Sequence, residues 1–186
     1  MKNTPVAMIS VLAIICLAVS ALLGFVNFLT EDTIAEIAEA KVQAAMADII
    51  PNATFEQVDS SAYPAVTKMY KATSNSGDNA GVCVQLSSSG FAADIVLIIG
   101  VNADKTVAGV RITSIAETAG LGSKANDPAW LSQFEGLTGT LNLVKNSKTA
   151  ETDVVAISGA TVTSTAVTKG VQAAIDAAAD YLGGGK

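Results

Sequence analysis

Histidine does not occur in this chain. Its absence removes Ser-His and Cys-His nucleophiles, imidazole metal sites and the commonest general base. Cysteine is almost as scarce. Cys16 and Cys83 are the whole supply, too few for a four-thiolate zinc or iron–sulfur site. Positive charge is short as well: 11 basic residues stand against 17 acidic ones, a net charge of −6. A chain of that sign repels phosphate backbones, which argues against nucleic acid as a partner. Any difficult chemistry here therefore has to come from a bound cofactor, or there is none.

Charge of either sign is missing from Asn3 to Thr30. The apolar run that begins at Val6 and ends at Leu29 would form a helix about 36 Å long, enough to cross the ~30 Å hydrocarbon core of a bilayer. A cleaved signal peptide is the rival reading, with Ala18-Val19-Ser20 as a small-x-small site. Its apolar region is normally about 7–15 residues. Here the run continues past that site through Leu22, Leu23, Phe25, Val26, Phe28 and Leu29, which favours an uncleaved anchor. Lys2 precedes the run, while Glu31, Asp32, Glu36 and Glu39 follow it, with Lys41 the first positive charge beyond. The positive-inside bias puts the N-terminus in the cytoplasm and the rest of the chain outside.

The remaining length suits one domain of ordinary size. Residues 31–50 continue as a helix, with Ile34, Ile37, Val42, Ala45, Met46 and Ile49 near helical spacing and Pro51 closing it. A mainly β region follows. Strands are expected at 66–72 and 81–86 around a turn-rich 74–79, then at 91–101 and 106–115 around the turn Asn102-Ala103-Asp104. The run Ile95-Val96-Leu97-Ile98-Ile99 suits a strand buried on both faces. Asp127-Pro128 reads as a helix start, and 141–144 and 153–157 as short strands. Val167, Val171, Ala174, Ile175, Ala178 and Leu182 mark a long amphipathic helix over 161–182, ended by Gly183-Gly184-Gly185. The fold class is α+β: an apolar helix, a stalk helix, then one domain with a mainly antiparallel sheet and a long C-terminal helix.

Chemistry concentrates in Ile157-Ser158-Gly159-Ala160-Thr161-Val162-Thr163-Ser164. This segment leaves a strand, turns on a glycine and enters the long helix. Amides in a first helical turn lack intrahelical partners and sit at the positive end of the helix dipole, so an anion is stabilised there. Gly159 permits close approach and Ala160 adds little bulk. Ser158, Thr161, Thr163 and Ser164 bring hydroxyls with no base beside them, better suited to holding a phosphate than to attacking a carbonyl. The plain alternative is a helix cap supplied by Ser158 or Thr161.

The run Ser158-Gly159-Ala160-Thr161-Val162-Thr163-Ser164 resembles the flavinylation motif of the FMN-binding domain family. That family includes the G subunit of the Rnf electron-transport complex and the C subunit of the sodium-pumping NADH:quinone oxidoreductase. The loop Glu117-Thr118-Ala119-Gly120-Leu121-Gly122 resembles the family's loop beside the flavin, and Gly90-Phe91, Ile95, Gly100 and Val101 match its glycine-aromatic strand and hairpin. The resemblance runs from about Val66 to Leu182. It implies FMN joined as a phosphodiester to Thr161, a bond that a dedicated flavin transferase makes from FAD. The implied cofactor site is Thr161 with Ser158, Gly159, Ala160, Thr163, Ser164, Glu117, Thr118, Leu121 and Gly122. The chain departs from the family at Val155, where an aspartate is frequent, at Ala119, where proline is usual, and at Ile115, where a histidine often stands. Asp153 lies two positions from Val155.

The implied organisation is a membrane anchor over 1–30, a stalk helix over 31–51 and an FMN-binding domain over 52–186. The implied function is electron relay in a membrane-bound, ion-translocating ferredoxin:NAD oxidoreductase, alongside the complex's other subunits, in the cell (inner) membrane. Three alternatives stay open: a C-type component of a quinone oxidoreductase, a stand-alone extracytoplasmic flavin reductase, and a pilin-like structural protein. Cys83 is expected to be an inert core thiol, Trp130 a packing residue, and Met46 and Met69 core fillers.

Overall fold

The computed structural model describes residues 5–184. Lys2, on which the orientation argument leans, and Gly185 lie outside the described residues. The chain divides into two units, one up to Ala40 and one from Lys41 onward.

The described residues of the first unit, from Pro5 onward, are helical. Helix α1 spans Pro5–Ile49, so the expected anchor and stalk are a single uninterrupted helix. Its span from Ala7 is long and apolar enough to cross a membrane, and none of its most apolar stretch is buried. Leu12, Leu17, Leu22, Phe25 and Phe28 all stand exposed. An apolar surface all round a helix, with no protein covering it, suits lipid. Ile34 and Ile37 are exposed too.

The second unit begins with the last turns of α1 and contains strands β1 (Ala53–Val58), β2 (Val66–Ser74), β3 (Asn79–Ser89), β4 (Asp94–Asn102) and β5 (Val107–Ser114). They pair antiparallel in the order β1-β2-β3-β4-β5, a meander that short turns make possible. A 3-10 turn at Gly122–Asn126, helix α2 (Pro128–Leu131), and strands β6 (Asn142–Val144) and β7 (Asp153–Val155) follow. Helix α3 (Thr161–Leu182) closes the fold.

Alternation decides what each sheet face meets. Val82, Val84, Leu86, Leu97, Ile99 and Val101 form one core with Val167, Val171, Ala174, Ile175 and Ala178 of α3. Tyr70, Cys83 and Ile98 point the other way and pack with Val42, Met46, Ile49 and Ile50. Strand β4 feeds both cores, as a continuous apolar run should. Glycines set the spacing on each side. A Cβ at Gly170 would lie 2.5 Å from Leu97 Cδ1, so its absence lets α3 settle close to the sheet. On the opposite face, Ile49 fills the space that a side chain at Gly100 would take and lies in contact range of Gly109. Gly100 pairs with Gly109 across β4 and β5, which makes one notch for one isoleucine.

Two expectations need correction, and the pairing of the two short strands is new. The sheet has an edge strand, β1, absent from the strands expected above; it is short, largely exposed and patterned too weakly to stand out. The strand expected from Phe91 begins only at Asp94, because residues 91–93 bend into a turn. Strands β6 and β7 pair parallel, apart from the main sheet.

Candidate functional site

The turn into α3 is built from its own side chains. Gly159 takes φ +79°, a conformation that glycine adopts without Cβ strain. Ala160 N–H donates to Ile157 O at 3.0 Å. The Ser164 hydroxyl donates to Ala160 O at 2.9 Å and accepts from Ile157 N–H at 3.0 Å. Ser164 is fully buried, so its hydroxyl is spent on holding the turn. Ala160 occupies the cap position with φ −131° and ψ 46°, and no side chain caps the helix. Neither Ser158 nor Thr161 takes that role. Thr161 is the first helical residue and is exposed. The first-turn amides, which have no carbonyl within the helix to bind, are left to a partner from outside it.

The loop ahead of α2 meets this turn through Glu117. Its Oε1 accepts from the Phe91 and Ala92 amides at 2.7 and 3.1 Å. Its Oε2 accepts from the Thr163 hydroxyl at 3.0 Å. Burial pushes the carboxyl up, but the hydrogen bonds from Ala92, Thr163, Phe91 and Ala93 together outweigh it and hold Glu117 below the usual glutamate range. Gly122 lies against the carboxylate: a Cβ there would sit 2.5 Å from Oε2 and 2.8 Å from Thr163 Oγ1. Gly120, at φ +76°, lets the loop double back, with its amide on Ser123 Oγ at 2.9 Å.

Between these elements lies a cleft of about 350 Å³, within the size range of small-ligand sites. Gly159, Ala160, Thr161, Val162 and Thr163 line it from the α3 side, and Glu117, Thr118, Leu121 and Gly122 from the loop. Phe91 closes a third side. The fold thus brings together most of the residues singled out in the sequence. Ser158, exposed beside the turn, and the buried Ser164 do not line the cleft.

Two lining residues were not among the expected contacts. Phe91 is 71% exposed and Val162 52%; with Leu121 at 45% they are the exposed large apolar side chains among the described residues beyond Ile37. All three converge on this one cleft. A signal for Val162 does exist in the sequence. It shares the polar stripe of α3 with Thr165 and Lys169, where an apolar residue has no packing reason to be. Phe91 stood in the glycine-aromatic match, but a strand reading of residues 91–101 assigned it to the sheet and not to the site.

Most of the other residues singled out in the sequence serve the packing or the turns of the fold. Asp153 is buried, and its Oδ2 accepts from the Thr149 amide and hydroxyl, both at 2.8 Å, and from the Ala150 amide at 2.9 Å. The bonds from Thr149, then that from Ala150, hold its carboxyl below the usual aspartate range. It does not line the cleft. Val155 itself takes the Trp130 indole N–H on its carbonyl at 2.8 Å and gives its amide to Gln133 Oε1 at 3.0 Å. Trp130 also meets Phe134 edge-on, ring centres 5.4 Å apart, a packing role. Ile115 packs on the core, and Ala119 is exposed. Cys83 is buried, and desolvation pushes its thiol up to about 12, an inert thiol. Met46 and Met69 are fully buried. Lys124 is exposed and does not line the cleft.

The cleft fits FMN on its own terms. An uncapped helix start with an exposed hydroxyl suits a phosphate, and three apolar side chains left in water suit a flat, largely apolar ring.

Residues 90–176 match the FMN-binding domain family. The chain is 30% identical over 182 residues to the G subunit of the Na(+)-translocating ferredoxin:NAD(+) oxidoreductase complex of Acetobacterium woodii, covering 89% of this chain and 87% of that one. It is 35% identical over 101 residues to the G subunit of the proton-translocating ferredoxin:NAD(+) oxidoreductase complex of Clostridium ljungdahlii, covering 54% and 55%. Among solved structures, the C subunit of the Na(+)-translocating NADH-quinone reductase of Parabacteroides distasonis aligns with a TM-score of 0.52 at 24% identity. The alignment covers 62% of each chain, less than two thirds of that protein, and the likeness is one of fold.

Proposed function

The chain belongs to the family of G subunits of ion-translocating oxidoreductase complexes, and from that premise we propose that it relays electrons through an FMN joined by a phosphodiester to Thr161. The carrying observation is the start of α3: a helix with no side-chain cap, opening on an exposed Thr161 beside a cleft where exposed apolar side chains gather. FMN, when bound, supplies the capacity to accept and donate electrons. The protein holds and shields it. Thr161 Oγ1 forms the ester: a flavin transferase attaches the FMN unit of FAD there as the pyrophosphate bond breaks, and AMP leaves. No base on this chain has to activate the hydroxyl, which agrees with the lack of histidine. The amides of the first turn and the helix dipole stabilise the phosphate charge. Gly159 lets the phosphate approach the backbone, while Leu121 and Val162 keep water from the ring. Thr118 and Gly122 shape the loop side of the cleft.

In the assembly, this protein works with other subunits that pass electrons between ferredoxin and NAD and couple the flow to ion movement. The apolar part of α1 anchors it in the bilayer with the N-terminus in the cytoplasm and the flavin domain outside. A tether that cannot dissociate suits a compartment where free FMN is scarce.

The test is expression of the full chain with an active flavin transferase, followed by denaturing electrophoresis and a search for flavin fluorescence on the protein band. A bright band that vanishes in Thr161→Ala is the expected result. A dark wild-type band beside a bright transferase control overturns the covalent bond. A Thr161→Ala band as bright as wild type moves the bond elsewhere.

A further inference from the structure

The Glu117 carboxylate is placed by sequence resemblance among cofactor contacts, yet its oxygens are already engaged by the protein. Oε1 receives two consecutive amides, Phe91 and Ala92, and Oε2 receives the Thr163 hydroxyl. Three segments distant in the chain therefore meet on one side chain. The turn from Gly90 to Ala93 is closed by its own bond, Gly90 N–H to Ala93 O at 3.0 Å. Glycines flank the carboxylate on both sides: a Cβ at Gly90 would overlap Oε1, and one at Gly122 would crowd Oε2. The space is cut to the carboxylate.

The turn so held carries an odd side chain. Phe91 is 71% exposed on a backbone fixed by two charge-assisted bonds, which are among the stronger kinds. An aromatic ring left in water on an anchored turn at the mouth of a cleft is arranged to meet something flat. We propose that Glu117 is a positioning residue: it latches the Phe91 turn to the first turn of α3, and so holds the Phe91 ring as the wall on which the flavin ring packs. The wall rests on the flavin reading above; the latch does not.

The two parts are tested separately in the full chain. For the latch, amide exchange is followed in protein without flavin. Phe91 and Ala92 amides are protected in wild type, and Glu117→Ala speeds their exchange about 10- to 100-fold, the range for losing hydrogen bonds to a charged group. Glu117→Gln, which keeps an acceptor, restores part of the protection. Should Glu117→Ala unfold, Glu117→Gln alone decides, by exchange faster than wild type but confined to that turn. Unchanged exchange in a folded variant overturns the latch.

For the wall, Phe91→Trp places an indole on the turn, where contact quenches flavin fluorescence by electron donation. The native loaded protein turns dark while its denatured band stays as bright as wild type, and adding Glu117→Gln brings native fluorescence part of the way back. Native fluorescence equal to wild type overturns the wall, although the bright denatured band would leave the covalent reading standing. If the denatured band of wild type is itself dark, the same Phe91→Trp chain is titrated into free FMN. Quenching beyond that by wild type supports the wall, and equal quenching overturns it.

Discussion

Two helices of the domain begin in opposite ways. At α2, Asp127 occupies the cap, and its carboxylate accepts the Ala129 amide at 2.9 Å. At α3, the cap is Ala160, which offers no side-chain acceptor, although Ser158, Thr161, Thr163 and Ser164 stand around it. Thr163 turns to Glu117 and Ser164 to the turn backbone. The shorter helix closes its own N-terminus and so only packs. The longer one has no side-chain cap, and Thr161, its first residue, stands exposed at the cleft, the place proposed above for attachment. A missing cap costs a helix about 1 kcal/mol, a deficit that the phosphate proposed for this site would offset.

Filling the open cap should produce the largest effect. Ala160→Asn and Ala160→Asp both supply an acceptor to the first turn, but only aspartate adds negative charge where the phosphate belongs. Flavin loading, read as fluorescence per mole of denatured chain, should fall with asparagine and be almost abolished with aspartate. Equal, wild-type loading in both would end the comparison between the two helices.

Next comes the floor of the cleft. Gly122→Ala pushes a Cβ into Glu117 and Thr163, and overpacking of this kind costs about 1–3 kcal/mol. Denaturant unfolding should show that loss together with reduced loading, because the same atoms support both.

The closed helix supplies the control. Asp127→Ala should cost about 1 kcal/mol in the same unfolding experiment and leave flavin loading untouched. A loading defect there would mean that α2 also serves the site.

Acid gives the smallest effect. Glu117 is held below its ordinary range in the fold, so the stability it contributes is complete at neutral pH and is lost as the pH falls through that lowered value. Protection of the Phe91 and Ala92 amides should therefore begin to weaken as the pH enters the ordinary carboxylate range and be lost completely only below it. Complete loss of protection within that range would show that the latch is weaker than its geometry.

Some of this was legible in the sequence because it is local. The charge-free run, the buried strand 95–99, the Asp-Pro helix start and the glycine turn before the final helix each follow from neighbours a few residues apart. Strand β1 was not legible, since an exposed edge lacks a strong alternation. The Phe91 turn was hidden by its continuity with β4. What bends it is a carboxylate 26 positions away, and no local rule could supply that partner.

The sequence by itself determined an apolar helix long enough for a bilayer, an α+β order of elements, and a hydroxyl-rich glycine turn at a helix start. Hydrophobic spacing and turn chemistry act over short range, so they can be read without the fold. Only the tertiary structure decided that the helix start is uncapped, that Ser164 is buried while Thr161 is exposed, and that Glu117 binds the protein's own backbone. Each of those depends on which distant atoms fill a hydrogen bond first, and that competition is settled only when the β3–β4 turn, the 117–122 loop and α3 come together.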